Sequence, residues 1–159
     1  MGKHIYAHLS KDDLTYFSKL ACPKAFKNDW MDISPGYSLD NPEAKSKLFV
    51  KSNYAYDGYS IVPDLRSQEP AILHDAIYQY CEAIAKEWNW TVKQVLKWAD
   101  EVFLEAMLFY SIKPWQAYLY YRGVRLVGYK YHKLAKKYRD LKHSLGTIIS
   151  CNIINNGDQ

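Results

Sequence analysis

The chain has 159 residues and a net charge of +4, and 48% of its residues are hydrophobic, with 16% aromatic. This length fits a single domain that can bury a core, and the apolar content excludes disorder along the whole chain. Cysteines stand at positions 22, 81 and 151. Their odd number, wide spacing and lack of a CxxC pair exclude a disulfide framework and favour a reducing compartment.

The sequence contains no recognisable export or membrane signal. Its first residues lack the apolar stretch of a signal peptide, and no apolar run is long enough to span a membrane. We therefore expect a protein that has no signal peptide and no transmembrane segment.

Positive charge is concentrated in the C-terminal third. Residues 111–143 contain nine lysines and arginines against one acid, Asp140, which gives +8 for this segment and −4 for the rest of the chain. Such an asymmetry predicts an anionic partner. The residues expected to contact it are Arg122, Arg125, Lys130, Lys133, Lys136 and Lys137.

The sequence suggests an irregular N-terminal part followed by a helical C-terminal part. Residues 1–45 contain three prolines and are predicted to be irregular, with a short helix over 11–20 that Ser10 caps. A strand is predicted over 47–51, continuing towards residue 56, and Asp57-Gly58 is a turn signal.

Helical periodicity dominates after residue 70. One helix is predicted over 71–86, and a second begins after Thr91 as its cap. The apolar stripe of the second helix spans about 120°, and Asp100 lies about 20° outside its edge. Two further helices are predicted over 114–127 and 129–141.

These patterns predict a mainly α fold with a small β fragment and a central antiparallel helix pair. We divide the chain into an N-terminal segment 1–45, a helical core 46–128 that carries the motifs, and a basic helix with a loose tail over 129–159.

The polar residues of the core could form one chemical site. His74 on the first helix can activate water if a carboxylate holds its other ring nitrogen, and Asp100 is the candidate. Asp75 could join Asp57 and the carbonyls around Gly58 in binding a hard cation such as calcium. Alternatively, these are ordinary polar residues, with Asp100 bonded to one of the 15 tyrosines.

The motifs Asp57-Gly58-Tyr59-Ser60-Ile61, Leu73-His74-Asp75 with Tyr78, and Ala99-Asp100 with Phe103 resemble a bacteriophage family, the domain of unknown function 1353. The match covers about residues 53–128. This sequence reads Ser-Ile-Val-Pro where that family usually reads Ser-Ile-Pro, which suggests a longer turn. The resemblance implies a phage-encoded protein of the host cytoplasm or the virion.

The same motifs are similar, more distantly, to prokaryotic phospholipase A2. This resemblance implies a calcium-dependent phospholipase or esterase with His74 as base and Asp100 as its orienting partner. Asp75, Asp57 and Gly58 would hold calcium, and Tyr78 and Ser60 would line the pocket. The disulfides typical of secreted phospholipases are absent.

Three functions stay open from the sequence. The first is the calcium-dependent ester hydrolase, and the second is a non-catalytic virion or host-interaction protein on the same scaffold. The third is a nucleic-acid-binding accessory protein that uses the basic C-terminal third. Aromatic residues beside the cations, such as Trp115 and Tyr118, suit an anionic lipid surface or nucleic acid. A solvated basic face would look the same in sequence.

Overall fold

The computed structural model describes residues 8–56 and 67–130. Within these ranges, six short strands precede four helices. The strands are β1 His8–Leu9, β2 Leu14–Ser18, β3 Phe26–Lys27, β4 Met31–Pro35, β5 Ser46–Val50 and β6 Ala55–Tyr56. The helices are α1 Glu69–Gln79, α2 Cys81–Trp88, α3 Val92–Phe109 and α4, which begins at residue 114 and extends to residue 130, where the description ends.

Four strands form an antiparallel sheet in the order β2-β5-β4-β3. Leu48 of β5 lies at its centre, opposite Tyr16 on one side and Ile33 on the other. All three side chains are buried, whereas Lys47 beside Leu48 is exposed. This alternation presents one face of the sheet to the core. A separate antiparallel pair joins β1 to β6.

The expectation of a mainly α protein is wrong. The fold is mixed, since a four-stranded antiparallel sheet accompanies the helices. The helix predicted over 11–20 is also wrong, because this segment contains strand β2, in which Tyr16 and Ser18 are buried and Thr15 is exposed. Strands of five residues or fewer give too few alternations to stand out in a sequence.

Ser10 does not act as a helix cap. Its hydroxyl donates to the backbone carbonyl of Lys51 and accepts from the backbone N–H of Tyr54. The residue thereby ties the N-terminal segment to the connection between β5 and β6. The same hydroxyl chemistry that favours a cap also suits a link between loops.

The helices follow the predicted pattern with two changes. Thr91 caps α3 through a capping box with Gln94, which confirms the predicted start. The single helix expected over 71–86 is divided at Tyr80 into α1 and α2. No break separates residues 127 and 129, because α4 continues through Gly128 to residue 130. The rest of the basic helix predicted over 129–141 lies outside the described residues.

Helix α3 lies at the centre of the helical layer. Contacts with α1 run in opposite order along the two helices, since Ala71 clusters with Met107 while Tyr78 reaches Asp100. Helix α4 packs on the same pair through Ala117, Tyr120 and Val124. No helix within the described residues is long and apolar enough to cross a membrane.

Candidate active site

Asp100 is the centre of a buried polar network. It lies in the middle of α3 and has no solvent exposure. His74 Nε2 lies 2.7 Å from its Oδ1, and the Tyr78 hydroxyl donates to the same oxygen at 2.7 Å. Arg125 Nη1 donates to the other oxygen, Oδ2, at 2.9 Å. One carboxylate therefore joins side chains from α1 and α4 to α3.

The network fixes the orientation of the His74 ring. A carboxylate only accepts hydrogen bonds, so Nε2 carries the proton and donates a hydrogen bond to Asp100. In the neutral ring this leaves Nδ1 as the basic nitrogen. The imidazole is 9% exposed and lies between two aromatic rings, with centroid distances of 4.2 Å to Tyr78 and 4.7 Å to Phe103. Packing and a hydrogen bond together hold it in place.

Tyr78 adds a second donor one turn after His74. Burial, and then the charge of Asp100, raises the pKa of the Tyr78 hydroxyl well above its ordinary value, so this group stays protonated. The hydroxyl also lies against Gly128 of α4, at a point where any β carbon would collide with it. Gly128 therefore provides the space that lets Tyr78 reach Asp100.

Arg125 has a role that the sequence did not reveal. It was predicted to contact an anionic partner, yet its guanidinium is turned towards Asp100 and its side chain is 36% exposed. A buried carboxylate is costly unless it is paired, so the fully buried Asp100 requires such a cation. The position of Asp100 at the edge of an apolar stripe was a sequence signal for a partly buried carboxylate in need of a cation.

A cavity of about 220 Å³ opens beside this network. Its lining combines two cations, a carboxylate, two tyrosines and two aliphatic side chains. These residues are Tyr78, Lys93, Leu96, Asp100, Val124, Arg125 and Tyr129. His74 is not among them, so the cavity is lined by Asp100 and by its partners Tyr78 and Arg125 but not by the predicted base.

The predicted calcium ligands are only partly described. Asp75 is half-buried on α1, next to His74. Asp57, Gly58 and Ser60 lie outside the described residues. Among the residues that the structure describes, no group of three or more His, Cys, Asp or Glu side chains could hold a metal ion. Of the predicted calcium ligands, the described residues therefore contain one, Asp75.

The other cations predicted to contact an anionic partner are also only partly described. Arg122 and Lys130 are exposed on α4. Lys133, Lys136 and Lys137 lie outside the described residues. The part of the basic third that is described therefore divides into Arg125, which faces the network, and cations that face solvent.

Comparison of the chain with protein-family models, with curated proteins and with solved structures found no match. The resemblances to the phage family and to phospholipase A2 therefore remain predictions from short motifs.

Proposed function

We propose that the protein hydrolyses carboxylic esters of phospholipids, with His74 as general base and Asp100 as its orienting residue. The observation that supports this most is the 2.7 Å contact between His74 Nε2 and a fully buried Asp100. A histidine whose second nitrogen is held by a carboxylate is the arrangement that general-base hydrolysis requires.

In the proposed reaction, Nδ1 of His74 takes a proton from water as the oxygen attacks the ester carbonyl carbon. The tetrahedral intermediate then loses the alcohol, which takes the proton back from His74. The products are the free carboxylic acid and the lysophospholipid. Asp100 stabilises the transient imidazolium, and His74 carries no net charge at the end of the cycle.

Arg125 and Tyr78 are positioning residues in this proposal. Their two hydrogen bonds occupy both oxygens of Asp100 and hold the carboxylate plane towards His74. A charged donor on Oδ2 also offsets the cost of burying the carboxylate. The imidazole thus keeps one orientation throughout the cycle.

Calcium belongs to the same proposal. The ligands would be Asp75 and the turn that contains Asp57 and Gly58, and the bound ion would polarise the ester carbonyl and stabilise its oxyanion. The phage resemblance would place this activity in an infected host cell or in the virion.

Hydrolysis of a short-chain phosphatidylcholine below its micellar concentration tests the proposal. Asp100→Asn should lower kcat/KM by roughly 10²–10⁴-fold, the usual contribution of a general base, because it misorients the imidazole. Glu101→Gln changes the next carboxylate of α3, which forms a 3.9 Å pair with Lys97 outside the network, and should keep the wild-type rate. Asp75→Asn should raise the calcium concentration that half-maximal activity needs. Wild-type activity that persists in chelator would contradict the calcium part.

A non-catalytic scaffold is the second candidate. The low exposure of His74, and its absence from the lining of the cavity, favour it. In that case the network only fastens α1 and α4 to α3. Asp100→Asn would then lower the melting temperature, and no phospholipid would be hydrolysed by the wild-type protein.

The anionic partner of the basic third is a separate proposal. Arg122 and Lys130 are exposed and can contribute to it. Nucleic acid and lipid headgroups share the phosphate chemistry that these cations recognise.

A further inference from the structure

Helix α4 presents two opposite faces over its described length. Its buried face is formed by Ala117, Tyr120, Val124 and Gly128, which cover an arc of about 80° at 100° per residue. Opposite to this arc lies a second one of about 100°. We call it the outer face, and its members are Trp115, Tyr118, Leu119, Arg122 and Leu126.

Apart from Arg122, the outer face is apolar, and it is exposed. Leu126 is 81% exposed and Trp115 is 65% exposed, and Tyr118 and Leu119 are at least half exposed. Single exposed apolar residues are ordinary on protein surfaces, whereas a contiguous group of large ones marks an interaction site. Four large apolar side chains on one face of a helix that is already packed on its other face form such a group.

The charged residues of α4 and of the turn before it have one sign. Residues 111–130 contain the four cations Lys113, Arg122, Arg125 and Lys130, and no acid. Arg125 is committed to Asp100, which leaves three for an external partner. A helix with aromatic and aliphatic side chains on one face and basic residues on and beside that face suits the surface of an anionic bilayer.

We propose that the outer face of α4 docks on an anionic lipid bilayer, with the helix axis parallel to the membrane plane. The leucines favour lipid over nucleic acid, because aliphatic side chains insert among acyl chains but do not stack on bases as aromatic rings do. A second copy of the chain is disfavoured, since a symmetric pairing of this face would bring like charges together. This docking does not rest on the proposed hydrolysis.

The fluorescence of Trp115 can report binding at the outer face. Trp30, Trp88 and Trp98 are buried and Trp90 is half-buried, so Trp115 is the one strongly exposed tryptophan of the five. With full-length protein and vesicles of phosphatidylglycerol, its emission should shift to the blue and be quenched by brominated acyl chains. Phosphatidylcholine vesicles, or high salt, should weaken the shift. Trp115→Phe should remove the spectral change.

Matched variants distinguish membrane binding through the outer face from nonspecific adsorption of the protein. Leu119→Gln combined with Leu126→Gln should lower the partition coefficient into phosphatidylglycerol vesicles by about tenfold or more. Leu39→Gln changes a leucine that is 93% exposed in the loop between β4 and β5, and should bind as the wild type does. Both proteins should hydrolyse a monomeric ester at the wild-type rate if hydrolysis occurs at all.

Three results would overturn the docking proposal. One is full vesicle binding by the double leucine variant, which would assign the interaction to other residues. Another is tight binding of a short single-stranded oligonucleotide with no binding to vesicles. The third is a concentration-dependent dimer that Leu126→Gln abolishes. Vesicle binding by a protein without esterase activity would leave the docking intact and count only against the proposed hydrolysis.

Discussion

Asp100 shows how one residue can organise three helices. Its two oxygens accept hydrogen bonds from His74, Tyr78 and Arg125, so both oxygens of the buried carboxylate have partners. Removing one partner from a buried hydrogen-bonded charge is far more costly than the net contribution of the bond, because the remaining group stays desolvated. The network is therefore sensitive at each of its positions.

The close contact at Gly128 predicts how a substitution there changes the stability of the protein. In a helix interior, Gly→Ala normally stabilises by about 0.8–1 kcal/mol. Gly128→Ala should instead destabilise, because the added methyl group meets the Tyr78 hydroxyl that Asp100 holds. Urea denaturation of the purified variants measures the sign directly.

Two further variants serve as controls for Gly128. Nothing lies within 4 Å of a β carbon at Gly123 on the same helix, so Gly123→Ala should stabilise normally. In a Tyr78→Phe background the hydroxyl is absent, and Gly128→Ala should cost less than in the wild type. Equal effects of Gly128→Ala in both backgrounds would mean that the hydroxyl is not the obstacle.

The site was partly predictable for a local reason. His74, Tyr78 and Asp100 stand at fixed positions on two periodic helices, so their approach could be expected once the helices were paired. Arg125 and Gly128 reach the network only because α4 packs across α1 and α3. That packing depends on tertiary contacts such as Val124 with its neighbours, which the chain order does not reveal.

At the scale of elements, α3 begins with a reciprocal cap. The Thr91 hydroxyl accepts from the Gln94 backbone N–H, and the Gln94 side chain accepts from the Thr91 backbone N–H. Thr91→Ala should lower the free energy of unfolding by about 1 kcal/mol. Lys97→Ala, an exposed change on the same helix, should stay within about 0.5 kcal/mol. Calorimetry of both variants checks the difference, and an equal loss would contradict a role for the cap.

The sheet could not be predicted to the same degree as the helices. The region of β5 was expected as a strand, since Leu48, Phe49 and Val50 form a short apolar run between two lysines. β2 and β4 pair with β5 over distant parts of the chain, and their burial depends on that pairing. The β-propensity of a residue reflects how well its side chain packs on a half-buried sheet surface. It is therefore a weak predictor of a strand before the neighbouring strands are known.

At the scale of the whole molecule, buried tyrosines predict the response to alkali. Burial is the largest cause that raises the pKa of Tyr16, Tyr78, Tyr80 and Tyr110 above its ordinary value. In the unfolded chain these groups ionise near pH 10. The folded state keeps them protonated, so their contribution to stability is complete below about pH 10 and is lost as the pH rises above it.

Denaturation between pH 8 and pH 11.5 or so, the range around the ordinary tyrosine pKa, measures this effect. The free energy of unfolding should fall above about pH 10, with tyrosinate absorbance appearing together with loss of structure. Tyr78→Phe should make the fall shallower, whereas Tyr37→Phe, at an exposed position, should leave it unchanged. Tyrosinate absorbance that develops fully in the folded protein would contradict the burial account.

Rescue by free imidazole is the most direct test of the proposal that His74 acts as a base in ester hydrolysis. His74→Ala removes the ring but leaves Asp100 and its other two donors in place. We predict that phospholipid hydrolysis falls by roughly 10²–10⁴-fold and recovers in part when imidazole is added, because a diffusible base can occupy the space beside Asp100. Hydrolysis by His74→Ala at the wild-type rate, without imidazole, would contradict the claim.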